Sequence, residues 1–195
     1  VDDGPVTPDA EVVAGVRAQE RVEGRLQRQR AAYFADPCPA AETRRQDLAA
    51  LHRFLVENEA DIIAAINADF GVRPATESCL LELFPVRQAA RDTRGHVAKW
   101  MRPQRRSVDA LVFPGASNRV IPQPLGVVGV MVPWNFPIQL SFGPLVDILA
   151  AGNRAMVKMS DRSTHLARLL IEVFPRYLPA EKVAFFEDLG RGLGV

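Results

Sequence analysis

Cysteine is nearly absent from this 195-residue sequence, which carries only Cys38 and Cys79. The two stand in no metal-ligand spacing and could close one bridge at most, so there is no disulfide framework and reduced thiols are expected. Histidine is as scarce: His52, His96 and His165 fall on separate predicted helices, without ligand spacing. No apolar run approaches the ~18–20 residues that span a bilayer. The opening VDDGPVTPDAEVV is too acidic and proline-containing for a signal peptide, so a cytoplasmic protein with no membrane partner is expected. Charge of one sign is also missing. A net charge of +1 argues against a nucleic-acid partner, and the stretch Arg102-Pro-Gln-Arg-Arg106 reads as an exposed face. Repeats and low-complexity tracts are absent. So is a GxGxxG after the first strand-like run, which removes the ordinary dinucleotide fingerprint.

What is present is an ordinary globular composition, 48% hydrophobic and 24% charged, in a chain long enough to bury one sizeable core. Up to Met101 the periodicity is helical. Residues 12–34 predict a solvent-facing helix rich in Arg and Glu. After the break DPCPA, Leu48, Leu51, Leu55, Ile62 and Ile66 predict one long amphipathic helix from Ala41, ended by Gly71. A third helix is predicted over 76–101, bent by Pro85 or starting there, with Trp100 in the core. Around Pro114-Gly115 short β-like runs predict an exposed hairpin, over 108–123, or an extended connector.

Then the pattern changes. Leu125–Val132 is continuously apolar apart from two glycines, as in a strand buried on both faces of a parallel sheet. Leu140, Phe142, Leu145, Ile148 and Leu149 have helical spacing up to a Gly152-Asn153 stop. Ala155–Met159 predicts a second strand, Leu166, Leu169, Leu170 and Val173 a second helix, and Lys182–Phe186 a third strand. This alternation predicts an α/β protein: amino-terminal helices followed by part of a modified doubly wound, Rossmann-like parallel sheet.

In such sheets ligands lie beyond the carboxyl ends of the strands, where helix amino termini with free N–H groups converge. Pro133-Trp-Asn-Phe-Pro137 follows one strand and Lys158-Met-Ser-Asp161 the next, so one sheet edge should carry both. Asn135, between two prolines, is suited to donate a hydrogen bond to an oxygen that gains negative charge. Lys158 offers donors and Asp161 acceptors, a pair able to hold ribose hydroxyls. Plainer readings stand beside these. PWNFP can be a rigid turn with Trp134 as packing anchor, Lys158 a solvated charge, and Ser160, Asp161 or Ser163 helix caps.

The stretches PLGVVGVMVPWNFP and GPLVDILAAGNRAMVKMS, with the earlier INADFG, resemble the amino-terminal part of an aldehyde dehydrogenase, in family order over about residues 40–186. LELFPVRQAARDTRGHVAKWMRPQRR is similar to the branch holding coniferyl aldehyde dehydrogenases and the class 3 enzymes. The resemblance implies oxidation of an aldehyde to a carboxylic acid with a nicotinamide cofactor, NAD or NADP; the Asp161 carboxylate, which repels a 2′-phosphate, leans the expectation towards NAD. A cysteine thiolate attacks, Asn135 holds the oxyanion and a glutamate activates water. It implies cofactor contacts from backbone around Val132, Pro133 and Trp134, and from Lys158, Ser160 and Asp161, with no metal. It also implies a small-molecule aldehyde, coniferyl or another aromatic one, as substrate, and a homodimer for the full-length enzyme.

Residues 1–40 are then a helical extension and 41–195 an incomplete NAD-binding domain, whose hairpin over 108–123 belongs to the oligomerisation element. Two departures stand out. Met159 replaces the family's Pro, which is expected to loosen the turn, and the sequence reaches neither the nucleophilic Cys nor the general-base Glu. Residues 1–195 alone are therefore expected to be inactive. Two other readings remain open: a non-catalytic interaction module, or part of an acyl-CoA or acyl-phosphate reductase.

Overall fold

A computed structural model describes residues 10–187. Helices make up the first half: α1 (Ala10–Ala35), α2 (Ala41–Glu57), α3 (Glu59–Phe70), α4 (Ala75–Ser78) and α5 (Phe84–Trp100). The predicted single helix from Ala41 is two helices, because Asn58 leaves the helical region at φ −112, ψ 20. Its side-chain amide donates to the Phe54 carbonyl and to the Tyr177 hydroxyl, each at 2.9 Å. Such side-chain bonds compete with helix propagation. Gly71 ends α3 with φ +83, a conformation that costs glycine little. Between α4 and α5 the chain opens into a π-helical turn, Cys79–Leu83. Pro85, next to it, has no amide hydrogen and its ring crowds the carbonyl four residues back, a conflict that a wider turn accommodates.

The hairpin differs from its predicted span. Its antiparallel strands are β1 (Gln104–Arg106) and β2 (Asn118–Val120), with Gln104 opposite Val120. The apolar Leu111, Val112 and Phe113 lie at its turn-rich exposed tip. Asp109 is the cause: its Oδ1 accepts from the amides of Leu111 and Val112 at 2.9 and 3.3 Å, folding the chain where an extended run was expected.

The second half is the predicted parallel sheet. Strands β3 (Val127–Met131), β4 (Arg154–Lys158) and β5 (Val183–Phe186) lie in the order β3-β4-β5, linked by α6 (Pro137–Ala150) and α7 (Thr164–Val173). Within the described residues β3 is an edge strand, not one buried on both faces; Leu125 is 88% and Met131 79% exposed. The core lies between helices and sheet. Phe54 of α2, Phe142 of α6, Phe174 and Phe185 of β5 pack with centroids 4.9 to 5.7 Å apart, joined by Leu48, Leu51, Ile62, Ile66, Leu145 and Leu149. Truncating one such Leu to Ala costs ~2–5 kcal/mol. Trp100, expected in this core, is half exposed and stacks on His96 at 5.6 Å; Val97 takes the inward position of the last turn of α5.

The amino edge of the sheet is fastened by polar side chains. The predicted solvent-facing helix α1 takes part: fully buried Gln29 donates to the carbonyls of Ala155 and Ala180, each at 2.9 Å, and the Tyr33 hydroxyl to Pro124 at 3.1 Å. Arg44 of α2 donates to the Ala150 carbonyl at the end of α6 at 3.0 Å. Gly152, with φ +84, lies against that guanidinium, and a Cβ there would approach the Arg44 Cζ to 2.7 Å.

Candidate functional site

The register of β3 on β4 pairs Met131 with Lys158, so the two motifs leave the carboxyl edge side by side. Val132 is buried and its amide donates to the Lys158 carbonyl at 2.9 Å. Lys158 is half-buried; Pro133 and Asn135 are exposed. Met159 does not loosen this turn. It is fully buried and its amide donates to the Phe186 carbonyl at 2.9 Å, a bond that proline, lacking the N–H, could not make. Trp134 is no core anchor. It is half exposed, tilted on Phe70 at 6.0 Å, with the Arg162 guanidinium 5.7 Å from its ring centroid. Ser160 and Asp161 bond to each other at 3.1 Å, and Ser160 Oγ accepts from the Arg162 amide at 3.2 Å.

The amino termini of α6 and α7 are not free, contrary to the reasoning from sheet architecture. Carboxylates of the helical layer occupy both. Glu82, in the π-helical turn, accepts from the amides of Ile138 and Gln139 at 2.7 and 3.3 Å. Asp69, near the end of α3, accepts from those of His165 and Leu166 at 2.9 and 3.1 Å. Asp69 thus does for α7 what Ser160, Asp161 or Ser163 was expected to do; Ser163 is the N-cap residue but makes no side-chain cap bond. Burial pushes the Glu82 carboxyl up from the usual carboxylate range, against the opposing pull of the Ile138 amide, Arg73 and the Gln139 amide.

Arg73, just past Gly71, is the residue that sequence reasoning missed. Its side chain is 4% exposed, and its Nη1 donates to the Asn135 carbonyl at 2.7 Å. The same Nη1 lies 3.4 Å from Glu82 Oε1, and Nη2 lies 3.1 Å from Glu77. The guanidinium carbon lies over the rings of Phe70 and Phe136, 4.7 Å from each centroid. Beside it lies a cavity of about 220 Å³ lined by Phe70, Val72, Arg73, Pro74, Glu77, Asn135 and Phe136. Nothing local marks this arginine: its partner carbonyl is 62 residues away in sequence.

The cysteines sit elsewhere. Cys79 donates to Glu59 Oε1 at 3.3 Å, and burial with that carboxylate raises its thiol above the ordinary range. Cys38 Sγ lies 3.8 Å from Arg44 Nη2, toward the amino edge. Among the described residues no group of three or more His, Cys, Asp or Glu could hold a metal ion, and no helix is long and apolar enough to cross a membrane. The half-buried ammonium of Lys158 and the exposed carboxylate of Asp161, three residues on at the same edge, are a donor and an acceptor suited to vicinal hydroxyls. With both helix starts taken, neither is left to cradle a pyrophosphate.

Comparison with known proteins gives the family and the fold. A family model described as the aldehyde dehydrogenase family matches residues 10–194. A probable coniferyl aldehyde dehydrogenase of Pseudomonas aeruginosa is 46% identical over 164 residues, 84% of this chain and 34% of the relative. The coniferyl aldehyde dehydrogenase of a Pseudomonas species is 42% identical over 158 residues, 81% of this chain and 32% of the relative. Aldehyde dehydrogenase family 3 member F1 of Arabidopsis thaliana is 31% identical over 169 residues, covering 87% and 34%. The chain spans about a third of the length of these relatives. Among solved structures, the substrate-bound AldH of Staphylococcus aureus superposes with a TM-score of 0.80 at 23% identity, over 85% of this chain and 36% of that one. PnpE in complex with nicotinamide adenine dinucleotide superposes with 0.74 at 24% identity, over 88% and 34%. At these identities the structural likeness speaks for the fold.

Proposed function

The chain belongs to the aldehyde dehydrogenase family, and from that premise we propose that it forms the cofactor-side sheet edge of an enzyme oxidising an aldehyde to a carboxylic acid. The observation that carries the reading is the Met131–Lys158 register, by which the Asn135 turn and the Lys158–Asp161 turn share one edge. Asn135 donates its side-chain amide to the substrate oxygen as that oxygen gains negative charge. Lys158 and Asp161 hold the adenosine ribose hydroxyls of NAD, with Ser160 and the backbone of Val132, Pro133 and Trp134 alongside. Bound there, NAD would supply the hydride acceptor that oxidation of the aldehyde requires. The Asp161 carboxylate would repel a 2′-phosphate, which favours NAD over NADP.

An aromatic aldehyde, coniferyl aldehyde first, is the proposed substrate, supported by the identity to the two coniferyl enzymes. The exposed apolar tip of Leu111, Val112 and Phe113 supports a homodimer of the complete enzyme. The free thiols of Cys38 and Cys79 suit the cytoplasm. Expressed alone, residues 1–195 turn over no aldehyde, because burial and the Glu59 carboxylate favour the thiol form of Cys79, and Cys38 lies toward the opposite edge.

The test is NADH formation by the complete product of the gene with NAD and coniferyl aldehyde. Asn135→Ala should lower kcat by about 10²–10³-fold, the worth of one preorganised oxyanion donor. No aldehyde-dependent NADH from the complete protein, or an Asn135→Ala variant at the wild-type rate, would overturn the reading.

A further inference from the structure

We infer that Arg73 is a positioning residue for the oxyanion-donating amide of Asn135, a role that rests on the function proposed above. The Asn135 side chain can be no better placed than its own backbone. The flanking Pro133 and Pro137 limit that backbone without fixing the peptide between Asn135 and Phe136. Arg73 supplies what is missing. Nη1 donates to the Asn135 carbonyl at 2.7 Å and so sets the orientation of that peptide plane, from which the direction of the side-chain amide follows.

Few freedoms remain to the guanidinium itself. Its Cζ lies over the rings of Phe70 and Phe136, 4.7 Å from each centroid, and its Nη2 and Nη1 form ion pairs with Glu77 at 3.1 Å and Glu82 at 3.4 Å. Glu82 then binds the Ile138 amide at 2.7 Å, three residues beyond Asn135. The turn is therefore gripped at both ends, by Arg73 at residue 135 and by Glu82 at residue 138, and the two grips are joined to each other. Lysine could not reproduce this. Its ammonium can reach one carbonyl but lacks the planar group that lies against both rings while its separate nitrogens face the carbonyl and the two carboxylates.

Arg73→Met in the complete enzyme should lower kcat on the order of 10- to 100-fold, with KM for aldehyde and NAD within about 2-fold of wild type. The rate is taken per cofactor-binding site, so that unfolded protein does not count as lost activity. Arg73→Lys should fall between the two, and it carries the same test if Arg73→Met does not fold. In the background of Asn135→Ala, the Arg73 substitution should cost no more than about 2-fold further, because a positioner of an absent amide has nothing left to position. A purely structural arginine would lower thermal stability and the number of active sites but leave kcat per site near wild type, and that result overturns the inference. So does a loss that adds in full to that of Asn135→Ala. If Asn135→Ala is impaired and the Arg73 variants are not, only this role falls. If Asn135→Ala is as fast as wild type, the reading of Asn135 falls, and the role with it.

Discussion

Helices α6 and α7 leave the same sheet edge and begin in the same way, each with a carboxylate from the helical layer bound to its first free amides. What lies behind the carboxylate differs. Behind Asp69 is the exposed ring of His165, whose Nδ1 lies 2.9 Å from Oδ1. Behind fully buried Glu82 is Arg73, itself buried and bonded onward to the Asn135 carbonyl. One cap ends in solvent; the other is a link between the helical layer and the turn that carries the candidate oxyanion donor. The same local device thus stands by itself at α7, while at α6 it also joins the helical layer to the turn of the candidate site.

Removing each carboxylate would break that comparison if it is wrong. Glu82→Ala strands the Arg73 guanidinium among aromatic rings with only Glu77 opposite it. Breaking a buried ion pair from one side costs ~3–5 kcal/mol, and the lower end applies because Glu77 remains. Asp69→Ala removes a cap and leaves an exposed histidine, a loss of about 1 kcal/mol. Guanidinium denaturation of the two variants should therefore separate them by about 2 kcal/mol, the difference of those estimates. Equal losses would mean that Arg73 adds nothing to the α6 cap. Asp69→Asn should cost about half of Asp69→Ala, since its carbonyl oxygen can still accept from one amide.

These links also mark where the sequence stops being legible. The order of strands and helices from Leu125 onward could be read, because an unbroken Val-rich run and a 3.6-residue period are local signals, and the stops at Gly71 and Gly152 belong to single residues. What could not be read depends on partners far along the chain. Asn58 breaks the predicted long helix through a bond to Tyr177, 119 residues away. The caps come from Glu82, 56 residues before Ile138, and Asp69, 97 before Leu166, whereas the sequence nearby offers only Ser160, Asp161 and Ser163 for α7. Trp100 is one of the apolar positions of its predicted helix, yet the inward position in that turn belongs to Val97. The candidate site splits along the same line. Asn135, Lys158 and Asp161 follow from motif and strand order, whereas Arg73 becomes visible only once α3, α4 and the Asn135 turn stand next to one another.

The smallest effect is a slope with pH, and it isolates the burial of Glu82. Its carboxyl is held above the ordinary 4.5 in the fold, burial outweighing the Ile138 amide, Arg73 and the Gln139 amide. The native protein therefore keeps this proton more tightly than the unfolded chain does. As pH rises from about 4.5 through the raised value, the unfolded state releases it first, so this group makes stability fall with pH in that window. Below the window both states are protonated and the group adds no slope. Glu82→Gln removes the ionisation while its amide oxygen can still accept from the Ile138 amide, so the stability of wild type relative to the variant should decline as pH rises through the window. Buried Asp47, also raised, adds a slope of the same sign, and His52, lowered by burial and by Arg91, one of the opposite sign. Both are common to the two proteins and cancel in the difference. Denaturation curves that stay parallel across the window would mean that the fold does not hold the Glu82 proton more tightly than the unfolded chain does, and that burial of the α6 cap carries no linkage to pH.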